Sequence, residues 1–422
     1  MVSRARAAIA AGTVGNVIEW YDFALYGYLA SVLATLFFPT ENRAVSLIAT
    51  YGVFAAGFVM RPLGAAVFGW LGDTIGRSRT MLLSVVLMAL PTVAIGLLPT
   101  YESAGIVAPI LLVVVRVVQG FSVGGEFSSS VTYMVETAPG GRRGLFGSFA
   151  NVGSMIGMLA GSGAAAVMTS LLDSATLMDW GWRVPFLAGG VTGIVATLMR
   201  RRLPESPHFA AHESGRGEVS PLREALTTNR REVIQATLFA SAYGSVFYLA
   251  FVYLPTWASE YAGVTLAEAL RFNTLATAAM LPVIPLAGWL SDRYLRRTHL
   301  LMIAFLALGG IAIPLGAWMT AGGGFAAVAA AQLACALLLA VPCGVAPALF
   351  VERFPTRDRL SGYSVSFNVG LGIVGGATPA IATWLVDASG SVVSPAVYTA
   401  VMAAGGIFTL WWMTDRSREP LL

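Results

Sequence analysis

Lysine is absent from all 422 residues: the 26 basic side chains are arginines, set against 22 acids and three histidines. Charge of either sign is scarce, at 11% of the chain, where a soluble domain carries about 25%. That excludes a soluble globular enzyme and leaves no basic surface for nucleic acid. Cysteine is nearly missing too. Cys335 and Cys343 lie eight residues apart in one apolar segment, about 12 Å along a helix, too far for a disulfide, so both read as packing residues. Histidine is limited to His208, His212 and His299, in or beside polar connections. His208 and His212 have helical spacing but no further ligands, which argues against a metal site. No nucleophile–base set is apparent, so the expectation is a protein that is not an enzyme, with no metal and no cofactor.

What fills the chain instead is apolar sequence, 56% of all residues. Twelve runs are long enough to cross a bilayer: 8–38, 45–71, 80–98, 106–135, 145–172, 182–203, 231–258, 267–290, 299–318, 323–350, 361–387 and 394–414. The arginines gather in alternate connections: Arg4/Arg6, Arg77/Arg79, Arg142/Arg143, Arg200 to Arg231, Arg293/Arg296/Arg297, Arg353/Arg357/Arg359 and Arg416/Arg418. The positive-inside rule then places these loops and both termini in the cytoplasm of a bacterial-type inner membrane, with the N-terminal segment retained. The lipid bilayer is the one extended partner implied, and a monomer is expected.

The one long polar connection divides the chain into halves at 1–203 and 231–422, joined by 204–230. The halves repeat. Gly69-Trp70-Leu71-Gly72-Asp73 recurs as Gly288-Trp289-Leu290-Ser291-Asp292, 219 residues on. Val135-Glu136 with Arg143 recurs as Val351-Glu352 with Arg359, and Phe149-Ala150-Asn151 is echoed by Phe367-Asn368. The fold expected is all-α and integral to the membrane, with twelve transmembrane helices in two pseudo-symmetric six-helix bundles. A duplicated unit with its site between the halves is the plan of many secondary transporters.

The first span contains an anomaly. Glu19 and Asp22 lie near the middle of this span, Asp22 about 20 Å along a helix starting near Ala8, close to the bilayer midplane, where an ionisable group marks function by default. They are three apart and share a helical face with Asn16, Phe23 and Tyr26. Arg61 and Arg116 fall inside the second and fourth spans. Each either neutralises an acid or offers its fork of donors to a substrate carboxylate. Glu126, about 15 Å beyond Arg116, is a second proton station or a structural partner.

The loop Gly69-x-x-x-Asp73-x-x-Gly76-Arg77-x-Arg79 and the segment Arg116-Val117-Val118-Gln119-Gly120 resemble signatures of the major facilitator superfamily. Gly15-Asn16-x-x-Glu19-Trp20-Tyr21-Asp22-Phe23, Met60-Arg61-Pro62-Leu63-Gly64, Gln119 to Glu126 and Trp180 to Phe186 are similar to its metabolite:proton symporters. Those carry α-ketoglutarate, citrate, shikimate, or proline and glycine betaine. The resemblance implies alternating-access, proton-coupled uptake of a small carboxylate-bearing metabolite, a di- or tricarboxylate in the first instance. The alternative is a zwitterionic osmolyte such as proline or betaine; a drug/proton antiporter and a non-transporting receptor rank lower. It also implies Asp22 as proton acceptor with Arg116 as partner, and Glu19 and Glu126 join them as proton-coupling candidates by their position in the spans. Candidate substrate contacts are Arg61, Arg116, Tyr26, Tyr243, Phe247, Tyr248 and Trp384, where aromatic faces would hold a quaternary ammonium. Asp73, Arg77, Arg79, Glu136, Arg143 and Asp292 are candidates for a cytoplasmic gate.

Overall fold

The computed structural model describes residues 13, 16–17, 19–65, 67–68, 77–124, 126–200, 225–355 and 359–421. His208, His212, Asp73 and most of the 204–230 connection lie outside these residues. Arg77, Arg79 and Glu126 fall in helices, with their side chains outside the description.

Among the described residues the chain forms twelve long helical segments and no strand. Helix α1 covers residues 19–28 and continues as Ala30–Phe37. Its hydrogen-bond ladder runs through Leu29, whose N–H donates to Leu25 O at 3.1 Å and whose carbonyl accepts from Leu33 at 2.9 Å. Then follow α2 (Arg43–Ala65), α3 (Arg77–Leu97), α4 (Val107–Val123, resumed as Glu126–Glu136), α5 (Arg143–Leu171) and α6 (Arg183–Arg200). The second half holds α7 (Arg230–Tyr261), α8 (Leu266–Arg293), α9 (Arg297–Trp318), α10 (Gly324–Glu352), α11 (Arg359–Ser389) and α12 (Ser394–Trp412). Among the described residues, seven helical stretches are long and apolar enough to cross a membrane, and one of them, Arg297–Glu352, is 56 residues long. That stretch turns back at Gly322 and Gly324, whose φ angles of 90° and 49° are open to glycine and strained for other residues, and so splits into α9 and α10.

Local chemistry sets the ends. The Asn42 side chain accepts from the N–H groups of Ala44 and Val45 at 2.9 and 3.4 Å, starting α2. Thr265 and Glu268 cap α8 reciprocally, satisfying two donors the first turn leaves over. Pro282/Pro285 and Pro342/Pro347 fall inside the eighth and tenth spans, and α8 and α10 run through them, as membrane helices do when neighbours satisfy the freed carbonyls.

The bundle is inverted relative to a soluble protein. Leu90, Ile194, Leu275, Leu306 and Trp411 stand on the outside, more than half exposed, while Glu19, Asp22, Arg61 and Arg116 are each 2% exposed or less. Across the halves, α5 packs along α8 and α10, and α2 along α11. Since α2 and α8, like α5 and α11, are repeat equivalents, the two main seams are copies of each other. The two asparagines at near-equivalent repeat positions obey the same symmetry. Asn151 on α5 donates to Cys343 O on α10 at 2.7 Å, and Asn368 on α11 donates to Gly124 O on α4 at 3.2 Å.

Candidate functional site

The helix α1 enters the centre of the first half and carries both acids there. Glu19 pairs with Arg61 of α2 at 3.4 Å, so the partner left open in the sequence is Glu19 rather than Asp22. Phe54, Phe58 and Arg61 are spaced four and three apart and share one face of α2. The Arg61 guanidinium lies over Phe58 at 4.3 Å and over Phe23 of α1 at 4.4 Å. Arg116 of α4 covers Tyr26 at 4.4 Å, Phe23 at 4.7 Å and Phe54 at 5.4 Å. Its Nη1 donates to Gln119 Oε1, while Nε and Nη2 make no hydrogen bond.

No ion pair joins Asp22 to Arg116; the polar neighbours of the Asp22 carboxyl are Thr92 of α3 and, further off, Arg116. Close backbone approach makes this arrangement possible. A Cβ on Gly120 would fall 1.7 Å from Gly57 O, so α4 can lie against α2 only with glycine there.

The second half closes the site with Tyr248, packed on Phe58 at 5.4 Å and Phe54 at 5.8 Å, and with Phe247 against Trp20 at 6.0 Å. Two of the aromatic residues foreseen as substrate contacts lie elsewhere. Tyr243 turns into the second half, its hydroxyl 3.1 Å from Cys343 Sγ. Trp384 is 55% exposed on the outer face of α11, a correction: its helical register points away from the seam. Phe54, Phe58, Thr92 and Gln119 were missed as site residues, although the 54/58/61 spacing signals one face. A narrow cleft lined by Arg61, Gly124, Phe127, Phe367 and Asn368 opens beside the cluster.

Both ends of the seam are shut. At the arginine-rich end, Asp292 of α8 accepts from the N–H groups of Gly144 and Leu145 at 2.8 and 2.9 Å, capping α5 from the opposite half. Arg359 bonds Glu136 at 2.6 Å and Arg143 approaches Glu352 at 3.2 Å. Glu352 and Asp292 are also held by Arg297, at 2.7 and 3.1 Å. The segment after α12 crosses this end: Arg143 donates to the carbonyls of Ser417 and Glu419 at 3.2 and 2.7 Å. Asp415 anchors it by accepting from Thr298 N at 2.9 Å. Burial works to raise the Asp415 pKa, but hydrogen bonds from Ser417 and Thr298 prevail and hold it below its ordinary value. At the opposite end Arg43 clasps Glu260 at 2.9 Å and Tyr51 meets Thr256 at 3.0 Å. Among the described residues, contacts thus close the seam at both ends.

Replacing Asp292 with alanine strips two acceptors and a charge from the α5 N-terminus. Such a cap contributes about 1–2 kcal/mol. A roughly 5- to 30-fold shift towards opening at this end is expected. In a background lacking Cys335 and Cys343, a cysteine placed at the buried Ser148 should then label faster; an unchanged rate would show that Asp292 is not a latch.

Two repeated six-helix halves around a buried, charged and closed centre define the architecture of a secondary transporter. The Major Facilitator Superfamily family model matches residues 13–329, and the chain belongs to that superfamily. It is 33% identical to the "Proline/betaine transporter" of Escherichia coli (strain K12), over 99% of this chain and 85% of that protein. It is 34% identical to the "Ectoine/proline transporter ProP" of Corynebacterium glutamicum, with the same coverage. Among solved structures, the proton:xylose symporter XylE bound to 6-bromo-6-deoxy-D-glucose superposes with a TM-score of 0.77. It shares 18% identity, covering 100% of this chain and 98% of its own, so the likeness is one of fold.

Proposed function

We propose that the protein is a proton-coupled uptake carrier for a zwitterionic osmolyte of the proline or betaine type. Asp22 carries the proton, and Arg61 and Arg116 bind the substrate carboxylate. The observation that carries this reading is the stacking of two guanidiniums on the faces of Phe23, Tyr26, Phe54 and Phe58 beside two buried acids. Ring faces that hold guanidinium also suit a quaternary or secondary ammonium, and arginines drawn from the rings are free to fork a carboxylate. One small site thus offers both poles of a zwitterion.

Charge arithmetic supports co-binding of a proton. Glu19, Asp22, Arg61 and Arg116 cancel formally; protonating Asp22 leaves one guanidinium for one carboxylate. A tricarboxylate would bring more negative charge than these groups neutralise. The relatives' names favour the zwitterion as well, so the di- or tricarboxylate expectation gives way to its alternative. The halves 1–203 and 231–422, joined by 204–230, rock against each other, with the arginine-rich end in the cytoplasm. The latch formed by Asp292, Arg143 and Glu136 opens while the Arg43–Glu260 clasp stays closed, and the clasp opens while the latch is shut.

Purified protein in proteoliposomes tests this. Glycine betaine or proline should accumulate under an inward proton gradient, and citrate and α-ketoglutarate should not. Gradient-driven citrate uptake without betaine uptake would overturn the substrate class, and uptake indifferent to the gradient would overturn the coupling.

A further inference from the structure

Asp22 is surrounded by groups that the carrier mechanism outlined above leaves unused. A Cβ built on Gly189 of α6 would fall 3.2 Å from Asp22 Oδ1 and 2.6 Å from Thr92 Cγ2. The Asp22 carboxyl and the Thr92 methyl therefore face the same bare glycine, where α1, α3 and α6 converge, and neither Asp22 oxygen holds a hydrogen bond there. Thr92 continues the contact away from Asp22. Its hydroxyl accepts from Gln119 Nε2 at 2.7 Å and donates to Met88 O at 3.2 Å. Gln119 Oε1 in turn accepts from Arg116 Nη1. That last bond fixes the amide: with Oε1 on the guanidinium, the NH2 must point at Thr92. Thr92 thus has one lone pair taken and its proton on the Met88 carbonyl, and the neighbouring Asp22 carboxylate is the second acceptor to which that proton can turn.

We propose that Thr92 and Gln119 are positioning residues that relay the protonation state of Asp22 to Arg116. When Asp22 is ionised, the Thr92 hydroxyl turns its proton to the carboxylate, and the chain Asp22–Thr92–Gln119–Arg116 holds the guanidinium against Tyr26 and Phe23. When Asp22 takes a proton, the hydroxyl swings back to Met88 O and the chain loses its anionic end. Arg116 is then freer to leave the rings for a substrate carboxylate. Protonation and substrate binding become linked without a direct Asp22–Arg116 bridge, in keeping with the lack of one. The other groups around Asp22 do not compete for this role. Tyr21 donates to Pro185 O at 2.7 Å, Arg61 is turned to Glu19, and Gly189 of α6 brings no side chain.

The inference rests on Asp22 being the proton carrier, so the test keeps the two apart. Thr92→Val preserves shape and deletes the hydroxyl. Removing a donor from a carboxylate favours its neutral form, so the pH of half-maximal betaine uptake should move to the alkaline side by about one unit. Gradient-driven accumulation should fall about tenfold while counterflow exchange stays near wild type. Thr92→Ser should restore both readouts, and Gln119→Leu should lower accumulation without the same pH shift. A Thr92→Val profile matching wild type, or equal loss of accumulation and exchange not rescued by serine, would overturn the relay. Should Asp22→Asn still accumulate substrate under a gradient, the carrier assignment itself fails instead.

Discussion

Asp22→Asn is expected to abolish proton-driven accumulation, by at least about a hundredfold, while substrate still exchanges across the membrane in counterflow. Asparagine keeps the size and one acceptor but cannot carry the proton. Asp22 is 1% exposed, with both carboxyl oxygens short of ordinary hydrogen bonds. It is therefore among the groups whose charge costs most to keep in this interior. A neutral residue there should let the loaded carrier cross and return, since the exchange cycle never releases the proton. Loss of both activities would make Asp22 structural; retention of both would move the proton to Glu19 or Glu126.

The second large effect concerns stability. Arg297 is 1% exposed and donates to both Glu352 oxygens at 2.7 and 2.8 Å, to Ser291 Oγ at 2.7 Å and to Asp292 at 3.1 Å. Arg297→Ala would take its main cation from the buried Glu352, leaving it Arg143 alone, and remove the cation beside Asp292; removing one partner of a buried pair costs about 3–5 kcal/mol. The purified variant should unfold at a clearly lower temperature and express poorly. Adding Glu352→Gln should recover part of the loss by removing a stranded charge. An unchanged thermal midpoint would mean that water or Arg143 takes over, and would reduce Arg297 to a surface-like contact.

Helix positions were readable because apolar runs, arginine punctuation and the repeat all pointed to the same boundaries. The repeat also paired Glu136 with Glu352 and Arg143 with Arg359. What it did not show is that each acid reaches the other half's arginine, Glu136 to Arg359 and Glu352 to Arg143. Sequence similarity reports equivalence between halves, whereas contact depends on how they face. The same limit applies to the site. Glu19, Asp22, Arg61 and Arg116 stood out because charge is rare in such spans. Thr92 did not, since an isolated threonine in an apolar helix is ordinary, and only the bare Gly189 opposite shows what it meets. Trp384 illustrates the converse: an aromatic in the right helix but on the wrong side of it.

The four central side chains cancel one another while no substrate is present, and this bears on how the membrane voltage acts on the cycle. Moving one elementary charge through 100 mV is worth about 2.3 kcal/mol. An empty carrier whose Glu19, Asp22, Arg61 and Arg116 sum to zero gives that field nothing to pull on, so its return should run at a speed indifferent to potential. Loaded with a proton and a neutral zwitterion, the same centre carries one positive charge inward. An inside-negative potential would then drive only the productive stroke, and turnover at high voltage would be set by the empty return.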